Sequence, residues 1–497
     1  MTIYINNEFH YETENLVRLF FPNDKISVIN ELPDEKPLPL VTALTYENDG
    51  AVQVYVSVET DGFFDEARSS VEASEDISKD TERAIAVCLY DIFVKLTGKK
   101  QPWGILTGVR PIKLFRRLTE KYGEAHAKHY FTDKLLVSEE KTALSAVTEK
   151  HEKKILSLSK PRSFSLYVSI PFCPSRCSYC SFVSQSVESA KKLIDPYFEL
   201  LLKEIEAAAQ IAVDCELTLE SVYVGGGTPT TLDASQLSRL IEALRSNFDM
   251  STCREFTIEA GRPDTIDREK LMAIKNGGAD RISINPQTLN DDVLRVIGRR
   301  HSAQQTLDAF ALAREIGFGH INMDLIAGLP TDNIESFTAT LDKICLLSPE
   351  SVTVHTLAMK RSSHLTLQGK ELDTAKESPA AAMLRYCEEK LAEEGYHPYY
   401  LYRQTRMEGN LENVGWAKDG FDGIYNVFVM DETHTILGVG AGAVTKLKKP
   451  ASEQLERIFN YKYPYEYING FDELLRRKER VRAFYAELAE YISQICL

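Results

Sequence analysis

From about Phe164 onward the chain repeats one arrangement: a short apolar run, a polar or glycine-rich turn, then a longer stretch with apolar residues three and four apart. Ser165–Ile170, Glu220–Val224, Glu255–Glu259, Arg281–Asn285, Ile321–Ile326 and Val352–His355 read as strands. Between them Pro196–Ala212, Gln236–Asn247, Ala303–Ile316 and Ile334–Leu347 read as helices. Short apolar strands alternating with helices predict an α/β fold of parallel βα units. Six repeats are many for a small open sheet and two short of an eightfold barrel, so a partial (β/α)6 barrel fits. In such barrels functional side chains gather at the C-terminal ends of the strands.

Residues 1–160 follow a different pattern and predict an N-terminal α+β domain. Thr2–Asn6, Pro39–Tyr46 and Ala51–Val58 have strand character, the last two joined across Glu47-Asn-Asp-Gly50, a hairpin signal. Helices are expected at Lys79–Leu96 and Ile112–Tyr122, and the polar stretch Lys150–Arg162, with Pro161, reads as a linker. The barrel then spans 161–375. A C-terminal α+β region, 376–497, opens with a helix at Pro379–Glu394 and closes with one at Phe471–Ile495.

Composition narrows the partners. With 497 residues, 43% hydrophobic and 26% charged, the chain has the make-up of a folded protein of two or three domains. A net charge of −15 repels phosphate backbones and argues against nucleic acid. No run approaches the ~20 apolar residues of a membrane span. The opening Met1-Thr-Ile-Tyr lacks the basic-then-apolar order of a signal peptide, so a cytoplasmic protein without membrane contact is expected.

The chemistry concentrates in Cys173-Pro-Ser-Arg-Cys177-Ser-Tyr-Cys180, directly after the first barrel strand. Three thiolates at short spacing suit an iron–sulfur cluster with one iron left open. Zinc would want a fourth Cys or His at a regular offset, and the next cysteine is Cys215. The other cysteines are scattered through apolar or helical contexts and predict no second cluster.

Further polar residues fall at the ends of the following strands. Val224-Gly-Gly-Gly-Thr-Pro-Thr230 ends the second, either as a tight turn or as a place where backbone amides approach a ligand. Glu259 closes the third, Gln287 follows the fourth with Arg299 beyond it, and Asp324 lies in the fifth. Polar side chains in apolar strands need partners, and successive units carrying them suggest one shared polar ligand.

The Cys-X3-Cys-X2-Cys spacing resembles that of the radical S-adenosylmethionine (SAM) enzymes. Tyr-Val-Ser-Ile-Pro-Phe-Cys, Gly-Gly-Gly-Thr-Pro-Thr, Arg-Ile-Ser-Ile-x-x-Gln and Asp-Leu-Ile-x-Gly-Leu-Pro together resemble the oxygen-independent coproporphyrinogen III dehydrogenases, in their HemZ-like branch. Trp103-Gly-Ile-Leu-Thr-Gly-Val-Arg-Pro111 is similar to that branch too. The resemblance implies a radical SAM barrel whose [4Fe–4S] cluster is held by Cys173, Cys177 and Cys180. It implies SAM contacts from Tyr167, Tyr179, Gly226, Gly227, Thr228, Glu259, Gln287, Arg299, Asp324 and Ala358. It further implies a SAM-derived 5′-deoxyadenosyl radical, decarboxylation of two coproporphyrinogen III propionates to the vinyls of protoporphyrinogen IX, and an electron donor such as a flavodoxin or ferredoxin. Two positions depart from the dehydrogenase pattern: Phe182 stands where those enzymes carry a fourth cysteine, and Ser169 where they carry a histidine. Phe182 is shared with the related haem-chaperone branch, which keeps the cluster and delivers haem. Arg110, Lys113, Arg116 and Arg117, or Lys360 and Arg361, could meet propionates, although a solvated helix face is the ordinary role of such a run.

Overall fold

The computed structural model describes residues 1–48, 50–182, 184–359, 363, 378–450 and 452–495, and the chain divides into two compact units. The first contains residues 1–149 with 378–382 and 401–412. Its sheet is built from β1 (Thr2–Ile5), β2 (Ser27–Ile29), β3 (Leu40–Asn48), β4 (Ala51–Thr60) and β5 (Phe63–Val71), in the order β2-β1-β3-β4-β5. β3 and β4 pair antiparallel in the expected hairpin register, Asn48 opposite Ala51. The helix Ile77–Thr97 covers this sheet with Ile85, Leu89 and Phe93 buried. The Trp103 motif is part of this unit's core. Trp103 is fully buried, donates its indole N–H to Glu412 at 2.7 Å, and lies under the Arg403 guanidinium. Gly104, at φ +52°, has no room for a Cβ, which would fall 2.0 Å from the Leu135 carbonyl oxygen. Arg116 is buried as well, so only part of the Arg110–Arg117 run faces solvent. Lys360 and Arg361 lie outside the described residues.

The second unit carries the βα repeats. Its strands are β6 (Ser163–Ile170), β7 (Phe172–Cys173), β8 (Gln185–Ser186), β9 (Thr218–Gly226), β10 (Glu255–Glu259), β11 (Arg281–Ser283), β12 (Ile321–Ala327), β13 (Ser351–Thr356), β14 (His397–Tyr402), β15 (Asn413–Ala417), β16 (Thr435–Val439), β17 (Val444–Lys448) and β18 (Leu455–Phe459). The main sheet runs β14-β15-β13-β12-β11-β10-β9-β6-β16-β17-β18. The six expected strands sit side by side and parallel, an open partial barrel. β16 adds to β6 in parallel, Tyr167 opposite Gly438, and β15 closes the other side antiparallel to β13. The glycine-rich segment after Ile436 is therefore strand β16 and its turn into β17. Both faces of the parallel strands are covered, which explains their near-continuous apolar runs: Leu166, Val168, Val222, Val224, Ile258, Ile282, Leu325, Val352 and Val354 are all buried.

Two local expectations need correction. Lys150–Leu156 is not linker but the last part of the helix Glu139–Leu156, because its Lys and Glu residues are good helix formers and Ile155 is buried as an anchor. The helix expected from Pro196 begins at Val187, where Ser186 caps it, and continues through Pro196. Burial of Tyr197, Phe198, Leu201 and Ile205 outweighs the hydrogen bond the proline omits. No helix among the described residues is long and apolar enough to cross a membrane.

Candidate functional site

Strand β6 delivers the chain directly into the cysteine loop. Cys173 ends the short β7, and the loop is pinned to neighbouring units: the Ser178 N–H donates to the Ile297 carbonyl at 3.0 Å, and the Ser175 hydroxyl to the Gly298 carbonyl at 2.9 Å. Arg262 reaches in from beyond β10, donating to the Ser175 carbonyl at 3.2 Å and the Cys177 sulfur at 3.7 Å, with Asp264 holding its other edge. The buried Thr228 hydroxyl lies 3.6 Å from the Cys173 sulfur. Burial pushes the Cys173 thiol up, and pushes Cys180 up to about 11. Thiols held neutral by burial ionise when a metal takes the place of the proton.

The glycine triplet lies against this loop. A Cβ on Gly227 would fall 2.5 Å from the Phe172 carbonyl oxygen, and one on Gly226, at φ +109°, 2.9 Å from the Ile170 nitrogen. The Gly227 N–H is itself donated to the Ile170 carbonyl at 2.7 Å. The glycines thus bring β9 close to the backbone that presents Cys173, a packing role the sequence pattern alone does not reveal.

The remaining strand-end residues ring the same rim. Tyr179 receives a hydrogen bond from Arg299 at 3.2 Å, and Arg299 also donates to the Asn285 carbonyl at 2.6 Å. Gln287 takes a left-handed backbone, φ +67°, and ties to β12 through the Asp324 carbonyl and the Ile326 N–H. Asp324 accepts from the Asn322 amide at 2.7 Å and faces the His355 ring nitrogen at 3.8 Å. Burial alone would raise its pKa, but His355, Asn322 and Thr353 outweigh that and hold it below the usual carboxylate range. Glu259 behaves oppositely. Burial pushes it up to about 7, against the opposing hydrogen bond from the Tyr223 hydroxyl, and the Asp324 charge adds to the rise. Tyr167 stacks with Tyr223 and Tyr425 beside it. Ala358 follows β13 on the same rim, half-buried. Tyr223, Arg262, His355, Asn322 and Tyr425 are the residues the structure adds. Only Arg262 had a local signal, standing three positions after Glu259.

Sequence comparison gives this rim its kinship. The radical SAM superfamily profile matches residues 167–344. Over 482 residues the chain is 32% identical to the oxygen-independent coproporphyrinogen-III oxidase-like protein HemZ of Bacillus subtilis (strain 168), covering 95% of each. The chain belongs to the HemZ family of radical SAM proteins. It is also 32% identical over 308 residues to the heme chaperone HemW of Lactococcus lactis, across 61% of this chain and 74% of that one. Among solved structures it resembles the coproporphyrinogen III oxidase HemN of Escherichia coli, with TM-score 0.51, 26% identity, and 64% and 71% coverage.

Radical SAM proteins use a [4Fe–4S] cluster and SAM, and these are the cofactors of this HemZ-family chain. The rim fits them. It offers three thiols on one loop, and three buried polar atoms without a hydrogen bond among the described residues, Ser178 Oγ, Asn285 Oδ1 and Arg299 Nε. Such atoms are costly to leave unmade and call for a polar ligand.

Proposed function

We propose that this protein is a radical SAM oxidoreductase that decarboxylates the propionates of coproporphyrinogen III to vinyl groups without molecular oxygen. The observation that carries the reading is full-length kinship to HemZ, joined to a rim that gathers three thiols and the strand-end polar residues. When bound, the cluster and SAM would supply an electron and a hydrogen-abstracting 5′-deoxyadenosyl group, and removal of a propionate β-hydrogen, of carbon dioxide and of one further electron, taken up by an external one-electron acceptor, leaves the vinyl. In this reading Cys173, Cys177 and Cys180 hold three irons. Thr228 directs its O–H at the Cys173 sulfur and Arg262 an N–H at the Cys177 sulfur, donors that orient two of the proposed iron ligands.

Asp324 stays ionised and offers a permanent acceptor, while Glu259 is poised to change protonation near neutrality. Arg299 hydrogen-bonds Tyr179 within the cysteine loop, which supports SAM contacts from Tyr167, Tyr179, Gly226, Gly227, Thr228, Glu259, Gln287, Arg299, Asp324 and Ala358.

A second reading, haem binding and delivery, is favoured by likeness to HemW and by Phe182, which stands 70% exposed two residues after Cys180. Ser169 adds to it. Its hydroxyl donates to the Ala441 carbonyl at 2.8 Å, and its atoms lie against Gly226 and Gly440, so the position is packed into the backbone and not directed at a ligand. One anaerobic assay separates the two. Reconstituted protein with reductant, SAM and coproporphyrinogen III should release carbon dioxide and the mono- and divinyl products. Tight haem binding with SAM cleavage but no vinyl product establishes the chaperone reading instead.

A further inference from the structure

Away from the cysteine loop, His151, His397 and Asp422 meet in the second unit. His151 is on the helix Glu139–Leu156, His397 opens β14, and Asp422 lies between β15 and the helix Ile424–Asp431. Their neighbours place them at the N-terminal ends of the parallel strands. Ala417, the last residue of β15, pairs with Ser351, the first of β13, and the Tyr396 hydroxyl donates to the Pro349 carbonyl at 2.5 Å. We propose that His151, His397 and Asp422 form a binding site for a divalent transition-metal ion of the zinc class, distinct from the iron–sulfur site.

The geometry is close to what such an ion needs. The two imidazole rings stack with centroids 3.6 Å apart and 18° between planes. His397 Nε2 is 2.6 Å from one Asp422 oxygen, and His151 Nδ1 is 3.8 Å from the other. One ligand atom from each residue lies within 4.8 Å of the others. Ligands on tetrahedral zinc, each ~2.0–2.1 Å from the ion, are separated by about 3.3 Å, so small side-chain rotations close the set. The rotations are required, because rings held parallel do not aim both lone pairs at one point.

Donor chemistry selects the class of ion. Two imidazoles and a carboxylate suit zinc, cobalt or nickel, whereas calcium and magnesium prefer oxygen alone. No thiolate is present to compete for a cluster. The other nitrogen of His397, Nδ1, lies 3.4 Å from the exposed Asp419 carboxylate, an outer partner that helps orient the ring with Nε2 towards Asp422. The three side chains are 15%, 14% and 18% exposed, sheltered but reachable. A bound ion would fasten three segments distant in sequence, leaving a position for water.

The test uses full-length protein in two forms, cluster-reconstituted and with Cys173, Cys177 and Cys180 all replaced by serine. Each is freed of adventitious metal and titrated with Zn²⁺ and with Co²⁺. One ion per chain should bind in both forms, with cobalt ligand-field bands and a zinc-dependent rise in Tm. Asp422→Asn, nearly isosteric, and His151→Ala should weaken binding at least about a hundredfold, and Asp419→Asn about tenfold. SAM cleavage by the reconstituted His151→Ala protein should be unchanged. Circular dichroism checks folding, and Asp422→Asn decides the matter should His151→Ala not fold. No uptake by the wild type, uptake lost with the three serines, or uptake indifferent to Asp422→Asn each overturns the site.

Discussion

Strand β10 carries a glutamate at each end, Glu255 and Glu259, on one face by the two-residue period of a strand. Their surroundings are opposite. Glu255, at the N-terminal end, accepts the backbone N–H groups of Ile424 at 2.7 Å and Tyr425 at 3.3 Å and the Thr257 hydroxyl, and faces Arg281 at 3.7 Å. Glu259, at the C-terminal end, has the Tyr223 hydroxyl as its one hydrogen-bond partner among the described residues, and burial lifts it to about 7. Neighbouring strands repeat the contrast. Glu220 of β9 is met by Ser163 and Arg254 near the strand's start, while the strand's other end runs into the glycines beside the cysteine loop. At the N-terminal end the carboxylates Glu255 and Glu220 are met by donors, although Arg281 Nε and Nη1 have no hydrogen bond among the described residues. At the C-terminal end Glu259 is left with room for a ligand's donor. That division is the one expected of a βα barrel, and here it can be read within a strand of five residues.

The cysteines offer the largest test of the division. Removing Cys173, Cys177 or Cys180 by substitution with alanine should abolish the cluster and all SAM cleavage after anaerobic reconstitution. Cys253 lies at the other end of the sheet, its thiol 3.3 Å from the Glu255 carbonyl, and Cys215 is buried beyond the helix Val187–Asp214. Alanine at either should leave iron content and its visible spectrum unaltered. Equal iron loss in all five variants would mean that the ligands have been misplaced.

Next in size is stability. Glu255→Ala strands the Ile424 and Tyr425 N–H groups and leaves Arg281 buried without its carboxylate, so unfolding free energy should fall by about 3–5 kcal/mol. Glu259→Ala removes a buried carboxyl that costs the apo fold stability once ionised, so at about pH 7.5 or above it should not lower the unfolding free energy. Urea titrations of the two variants compare them directly. Equal losses would erase the distinction between the ends.

The same division explains what could be read from sequence. β10 and the helices Ala303–Ile316 and Ile334–Leu347 have the residues expected from hydrophobic period, because local pattern and tertiary burial agree there. The cysteine spacing and the strand-end residues Glu259, Gln287 and Asp324 were visible because each interrupts an apolar run. Tyr223 and His355 were not. A tyrosine or histidine in a strand reads as core, and only the pairing of β9 with β10 and of β12 with β13 shows which carboxylate each faces. The third strand of the N-terminal hairpin system, β5, also escaped, since its exposed, polar-alternating Phe63–Val71 lacks the apolar face that marks a strand. His151 was hidden for the opposite reason, inside a charged stretch that looked like linker.

SAM affinity probes the open end more finely. With the cluster intact, Asp324→Ala and Glu259→Ala should each weaken SAM binding about ten- to hundredfold, the ~1.5–3 kcal/mol of a hydrogen bond to a charged group. Tyr223→Phe should weaken it less, because Tyr223 positions Glu259 without adding charge. Equilibrium dialysis under anaerobic conditions reads all three, and unchanged affinity in both alanine variants would remove these carboxylates from the SAM site.

The smallest effect is in pH, and its sign follows from Glu259 alone. A carboxyl lifted from 4.5 to about 7 is protonated in the apo protein below neutrality. The carboxylate accepts a hydrogen bond from a hydroxyl or ammonium of SAM far more strongly than the neutral acid does, so below about 7 tight cofactor binding displaces a proton. SAM affinity should therefore rise by about tenfold between pH 6 and 8 and level off above, since a single proton with a pKa near 7 can give no more across that interval. Apo stability should move the other way. A carboxyl raised in the folded state contributes most below 4.5 and loses that contribution as pH climbs through about 7. Asp324, held low by His355 and Asn322, stays ionised throughout and adds no slope in this range. Glu259→Gln should flatten both curves, whereas Glu255→Gln, at the satisfied end of the strand, should lower stability and leave the SAM profile sloped. A wild-type affinity that is flat from pH 6 to 8, or a slope that survives Glu259→Gln, would assign the proton to another group and place the functional carboxylate elsewhere on the rim.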